Sequence, residues 1–384
     1  MPRSSVRKVQ AKKTPTKAVR KPIATSLDDQ QRALYRTCDR FLNGAGRRGA
    51  STYLAMIPED TEIDTYGVGG IVEDLERDIA RRLGKRSALF LVSGTMAQQA
   101  TLRIHADQRG RSNVVWHPMC HIDTKEERAY ERLHGRHAVT CGPASEPLTR
   151  SQLEQVADSV AALVVELPQR DLGGTLPEWN ELVAQTKWAR ARGGAAHLDG
   201  ARLWEAAPYY AETADKSIVD VAGLFDTVYV SFYKGLGAIA GCCVAGDHDV
   251  IDELKLWRAR HGGRVFGMWP YAAAAKTALE LRVDRFEEYY KRAQQIARAL
   301  HRIDGLEVLP FPVQSPMMHL RLTGPRAQVI SRMVAIAKKD RIWMFAGPFA
   351  TEGPALQRFE FNVGDATMDF TIKEIHELFE RILH

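Results

Sequence analysis

The runs His197-Leu198-Asp199-Gly200-Ala201-Arg202 and Ser231-Phe232-Tyr233-Lys234-Gly235-Leu236-Gly237 decide how the rest of the chain is read. Ala195 to Leu198 is a short apolar strand that ends in an acid. Thr227 to Phe232 is a second strand, and it ends in a lysine inside a glycine-flanked turn. Ligands of open α/β sheets bind outside the carboxyl ends of the strands, so an acid and a lysine at two neighbouring ends converge on one crevice. Taken singly, Lys234 also reads as a solvated loop charge, and Asp199 as the N-cap of a helix from Ala201 onward.

Outward from these runs the pattern alternates. A helix from Ile71 to Gly84 keeps Ile71, Leu75, Ile79 and Leu83 on one face, with Gly84 as its stop. Ser87 to Val92 is a strand that enters Ser93-Gly94-Thr95-Met96-Ala97 and a helix through Ile104. A strand, a small-residue turn and a helix present free backbone N–H groups to an anion, although Ser93 or Thr95 also reads as a plain N-cap. Asn113 to Trp116 is a short strand ahead of His121-Ile122-Asp123-Thr124-Lys125-Glu126. Val160 to Leu167 is a near-continuous apolar strand, as expected where both faces are covered. The helix Glu178 to Arg192 follows, and Ala238 to Ala245 is a return strand. The alternation from residue 71 to 245 predicts a mostly parallel sheet.

Together, Asp199 and Lys234 supply what pyridoxal phosphate needs. A lysine amine condenses with its aldehyde, and a carboxylate keeps the pyridine nitrogen protonated so that the ring accepts electrons. The two runs resemble the low-specificity L-threonine aldolase and β-eliminating lyase family of aspartate-aminotransferase-like (fold type I) enzymes. That family shows His-x-Asp-Gly-Ala-Arg and then Lys-Gly-Leu-Gly. The resemblance covers about residues 60 to 270. It implies pyridoxal 5'-phosphate as cofactor and an α/β fold: a large domain with a mostly parallel seven-stranded-type sheet, plus a small C-terminal α+β domain. The domain bounds implied are 27–280 and 281–384, with residues 27–60 left unplaced.

The resemblance also distributes roles. Lys234, His121 and Asp199 are the catalytic candidates. Ser93, Gly94, Thr95, His121, Asp199, Arg202, Lys234 and Arg264 are candidates for holding the cofactor, with Arg258 a further one for its phosphate. Arg264 would act across a subunit contact, in a homodimer or homotetramer. Arg202 and Arg358 are the candidates for a substrate carboxylate, a task suited to a planar bidentate donor. His121, with Glu126 five residues on, matches a ring-stacking histidine. Where the family has a second histidine this chain has Gln169, which takes up no proton near neutral pH. The activity implied is aldol cleavage of a β-hydroxy-α-amino acid to glycine and an aldehyde, with β-elimination from a β-substituted amino acid as the alternative.

Further along, Tyr271 to Ile303 is helical but too long for one ordinary helix, so a bend or break is expected. Leu306 to Leu309, His319 to Leu322 and Phe359 to Val363 read as strands, and Arg326 to Lys338 and Ile372 to Leu383 as helices. The register around Arg358 and Glu360 is left open. Leu27 to Leu42 is mildly helical.

Charge is concentrated at the start. Residues 1–22 hold eight Lys or Arg and no acid, so the net charge of +6 becomes −2 without them. The near-neutral remainder argues against a nucleic-acid-binding fold. Residues 1–26 read as a disordered basic tail, capable at most of weak contact with a polyanion, and a regulatory protein acting through that tail is the alternative from another class. No run approaches the ~20 apolar residues that span a bilayer. Five cysteines without CxxC or zinc spacing suit reduced thiols in a cytoplasmic protein, and no metal cluster is evident.

Overall fold

The computed structural model describes residues 29–349 and 353–384, and the basic tail 1–26 lies outside the described residues. Its main sheet has seven strands: β1 Ser87–Leu91, β2 Asn113–Trp116, β3 His137–Thr140, β4 Val160–Glu166, β5 Ala195–Gly200, β6 Thr227–Ser231 and β7 Cys242–Gly246. They lie in the order β1-β7-β6-β5-β4-β2-β3. Every pairing is parallel except those of β7, the return strand, with β1 and β6.

Alternation of side chains divides this sheet into two faces. Ala196, Leu198, Val228 and Val230 join a core with Leu75 and Ile79 of α1 (Gly70–Arg82). Leu89, Leu91 and Tyr229 pack the opposite way, against Ala97, Ala100 and Ile104 of α2 (Gly94–Arg109). Helix α3 (Trp179–Ala191) adds Leu182 and Trp188 to the first face, and α4 (His248–Arg260) adds Ile251 and Leu254 to the second. Glu166, Asp199 and Tyr229 stand directly opposite one another on β4, β5 and β6, so all three share the α2 face. One face is thus almost wholly apolar, while the other holds the polar side chains of the strand ends.

The long helical stretch breaks as expected, into α5 (Trp269–Arg282), a 3-10 turn at Val283–Arg285, and α6 (Phe286–Leu300). Beyond it β8 (Leu306–Leu309), β9 (Met317–Thr323) and β10 (Leu356–Asn362) form an antiparallel sheet with β9 in the centre. Phe359 and Phe361 of β10 enter the core beside Leu378 and Phe379 of α8 (Ile372–Leu383), the helix after α7 (Arg326–Asp340). The mildly helical stretch at the start stops at Thr37. The chain then turns to bury Cys38 and Phe41 against Ala337, and Arg40–Phe41 pairs in parallel with Ile342–Trp343.

One buried acid ties the loop before α1 to α5. Asp64 Oδ2 accepts the Gly67 N–H (2.7 Å), and Oδ1 accepts those of Met268 (2.8 Å) and Trp269 (2.7 Å), two donors at the start of α5. Asp64→Ala leaves these amides without a partner, which costs about 2–4 kcal/mol. Urea unfolding of the variant should reveal a loss of that size, with Asp64→Asn intermediate.

Candidate active site

The carboxyl ends of β4, β5 and β6 open, on the α2 side, into a cavity of about 310 Å³. Asp199 and Lys234 both line it, with Ser93, Gly94, Thr95, His121 and Arg202, so seven of the residues singled out from sequence meet in one place. Asp199 is buried, and its Oδ1 accepts the Ala201 N–H at 3.2 Å. Burial pushes its carboxyl up to about 6, against the pull of His121. Lys234 shifts the other way: burial lowers its pKa, helped by the positive charges of Arg202 and Arg170. The cavity therefore has an acidic floor at Asp199 and Glu166 and a cationic flank at Lys234, Arg170 and Arg202. Glu166 accepts the backbone N–H of Arg170 (3.0 Å) and of His121 (3.1 Å), and burial beside Asp199 pushes it up to about 7.

The start of α2 forms the third wall. Ser93 is the N-cap residue, with extended backbone, yet its side chain makes no bond into the helix. A Cβ on Gly94 would fall 2.2 Å from the Tyr229 hydroxyl, so no other side chain fits there without displacing Tyr229. The first-turn N–H groups and the positive end of the helix dipole meet this closed cradle. An anion cradle, a buried carboxylate lacking a cation, and an amine shifted toward its neutral form on a third side fit pyridoxal phosphate.

His121 is held from behind. Its Nδ1 lies 3.5 Å from Glu126 Oε1, while Glu126 Oε2 accepts Gln99 Nε2 at 2.6 Å. Burial pulls the imidazole pKa down, but the Glu126 hydrogen bond and the charges of Asp199, Glu126 and Glu166 outweigh it, and the net shift is upward. The turn after Lys234 is braced by two arginines. Gly237 has φ +72°, a left-handed conformation that suits glycine, and its carbonyl accepts Arg48 Nη1 at 2.7 Å. Arg282 Nη1 donates to the Leu236 carbonyl at 3.2 Å. Both guanidiniums pair with Asp365, at 3.1 Å for Arg48 and 2.8 Å for Arg282, and Arg285 and Tyr289 bond to the same carboxylate.

Three sequence candidates sit elsewhere. Arg258 is buried and donates to the Phe90 carbonyl (2.9 Å) beside Glu76, outside the cavity of its own chain. Arg264 lies outside the cavity of its own chain, exposed, with its guanidinium 5.3 Å from the Tyr66 ring centre. Arg358 does not line the cavity either. Alternation along β10 puts Arg358 and Glu360 on one side, but Arg358 stacks on Phe349 (5.6 Å), one step farther along the strand. Glu360 is the member that reaches the site, ion-paired with Arg170 Nε at 2.7 Å and facing Arg202 Nη2 at 3.6 Å. Arg170 and Glu166 were not singled out. Their signal lay in the acid that ends an otherwise apolar strand and in the loop that follows it.

The geometry has counterparts among known proteins. The beta-eliminating lyase family profile matches residues 51–323. A structure from Listeria monocytogenes, provisionally described as an L-allo-threonine aldolase, is 34% identical, covers 91% of this chain and 97% of its own, and superposes with a TM-score of 0.86. A second, from an Exiguobacterium species and described in the same provisional way as an aromatic amino acid beta-eliminating lyase/threonine aldolase, is 33% identical, covers 91% and 98%, and has a TM-score of 0.85. Low-specificity L-threonine aldolase 1 of Arabidopsis thaliana is 28% identical over 69% of this chain and 76% of its own. With a cavity of this composition at the carboxyl ends of this sheet and a profile match over most of its length, the chain belongs to the beta-eliminating lyase family.

Proposed function

We propose that this protein is a pyridoxal-phosphate-dependent lyase that cleaves a β-hydroxy-α-amino acid of the threonine class into glycine and an aldehyde. The observation that carries this reading is the meeting of Lys234 and Asp199 on one cavity whose third wall is the Gly94 cradle. Bound there, pyridoxal phosphate supplies an aldehyde for the amine and a ring that withdraws the electron pair left on Cα when the Cα–Cβ bond breaks. Asp199 holds the ring nitrogen protonated. Gly94, Thr95 and Ser93 hold the phosphate through the first turn of α2. Lys234, shifted toward its neutral form, is the amine that would hold the cofactor through its aldehyde.

Arg170 and Arg202 are the carboxylate site. Both arginines line the cavity, but both oxygens of Glu205 occupy Arg202 Nη1 (3.0 and 3.1 Å), whereas Arg170 commits its Nε to Glu360 (2.7 Å) and its Nη1 only loosely to Asp171 (3.8 Å). Arg170 therefore takes the larger share of the α-carboxylate. Gln169 is not the base for the β-hydroxyl: its Nε2 donates to the Met119 carbonyl (3.2 Å) and to Glu166 (3.3 Å) and so ties two loops together. His121, held through Nδ1 by Glu126, accepts that proton at Nε2 when its imidazole is neutral.

A homodimer or homotetramer completes the reading. Tyr66, Val68 and Leu256 are exposed apolar side chains on a groove that Arg264 also lines, and Phe266, 70% exposed, packs edge-on against Tyr66, which supports burial against a second copy. Five unpaired, buried cysteines support a cytoplasmic setting, and no helix among the described residues is long and apolar enough to cross a membrane.

The test is turnover of L-threonine, L-allo-threonine and phenylserine by protein saturated with pyridoxal phosphate. Glycine and the matching aldehyde are expected, and Lys234→Ala should lower turnover by about a thousandfold or more. A 2-oxo acid with no aldehyde, or no turnover at all, would reject the reading. Arg170→Ala should raise KM by about ten- to a hundredfold, the worth of one charged hydrogen bond, with a smaller change in kcat. The base must be neutral to act, so kcat/KM should fall as pH drops through the raised pKa of His121, placing the acidic limb above 6.5. Glu126→Gln removes the contact that raises it, and should move that limb to lower pH.

A further inference from the structure

Gln98, on α2 one turn after Gly94, lines the cavity and is 1% exposed, and none of the roles above uses it. Behind it lie three more buried polar residues, His197, Thr227 and His105. Four hydrogen bonds join them in a row: Gln98 Oε1 to His197 Nε2 at 2.6 Å, His197 Nδ1 to Thr227 Oγ1 at 2.7 Å, Thr227 Oγ1 to His105 Nε2 at 2.8 Å, and His105 Nδ1 to Arg109 Nη1 at 3.4 Å. His197 and Thr227 are held opposite each other by the register of β5 and β6.

The direction of every bond follows from the arginine. A guanidinium only donates, so His105 Nδ1 accepts and its proton is on Nε2. That Nε2–H donates to Thr227 Oγ1. The single hydroxyl proton of Thr227 must then go to His197 Nδ1, which leaves the His197 proton on Nε2 and makes Gln98 Oε1 the acceptor. Both imidazoles are neutral, because burial drives each down to about 3. The amide of Gln98 is thereby locked with its oxygen inward, and its NH2 group is left for the cavity. The strand that anchors it presents Asp199 two residues beyond His197, on the same face.

We propose that Gln98 is a positioning residue for the cofactor: the row from Arg109 through His105, Thr227 and His197 fixes its carboxamide so that the NH2 group donates to the Asp199 carboxylate and keeps that anion aligned with the ring nitrogen. This inference rests on the cofactor reading above. Thr227 does not line the cavity and touches Gln98 only through His197, so it offers a clean test of the row. Thr227→Val keeps the shape and removes the hydroxyl; Thr227→Ser keeps the hydroxyl.

The experiment titrates each apoprotein with pyridoxal phosphate, and records the 15N chemical shift of bound cofactor labelled at the ring nitrogen. Thr227→Val and Gln98→Leu should each weaken binding by about tenfold, the worth of one hydrogen bond to a charged group, and move the 15N signal toward that of the unprotonated ring. Thr227→Ser should match the wild type in both. If Thr227→Val and Gln98→Leu bind with wild-type affinity and an unmoved 15N signal, the row has no such role. If the wild-type protein itself does not bind pyridoxal phosphate, the cofactor reading falls, and the inference with it.

Discussion

A carboxylate buried at the end of a central strand destabilises its own fold unless a cation answers it. Asp199 is in that position, and Glu166 beside it doubles the problem. The surroundings meet it only in part, with backbone donors for Glu166, the Ala201 N–H for Asp199, and His121 nearby. The opposite flank repeats the pattern with the sign reversed: Lys234, Arg170 and Arg202 stand close together, and Glu205 and Glu360 offset the two guanidiniums. A zwitterionic ligand with an anion at one end and a protonated nitrogen at the other satisfies both halves at once. Gly94 and Tyr229 shape the space between, and the apolar face below the sheet carries the stability that this polar face does not.

Much of this was legible in the residue order, for a physical reason. Strands covered on both faces are written as continuous apolar runs, so β4, β5 and β6 stood out, and the polar residues ending them marked the crevice. β3 was missed because it is an edge strand of mixed exposure, with no apolar run and no clean alternation. Glu360 and Arg170 meet across a long sequence separation, and neither lies in a local pattern that points to the other. The bond from Arg258 to the Phe90 carbonyl was not legible either, because local sequence does not distinguish an arginine that faces an anion from one that supports a backbone carbonyl.

The histidines teach a related lesson. His197 precedes Asp199 in a strand, where an isolated imidazole reads as core packing, and His105 sits in a helix with no visible partner. Only the register of β5 on β6, with α2 laid across them, joins the two through one threonine hydroxyl. Gln169 illustrates the converse. Its place in the chain suggested a missing proton acceptor, whereas its amide braces the loop after β4 against Met119.

The brace on the lysine turn has a consequence for synthesis. Arg48, Arg282 and the turn itself are all made before Asp365, the carboxylate on which both guanidiniums close. A nascent chain still short of that residue holds Lys234 on a segment whose two guardian side chains repel each other. The bracing of the Lys234 turn therefore waits on one carboxylate supplied from far along the sequence.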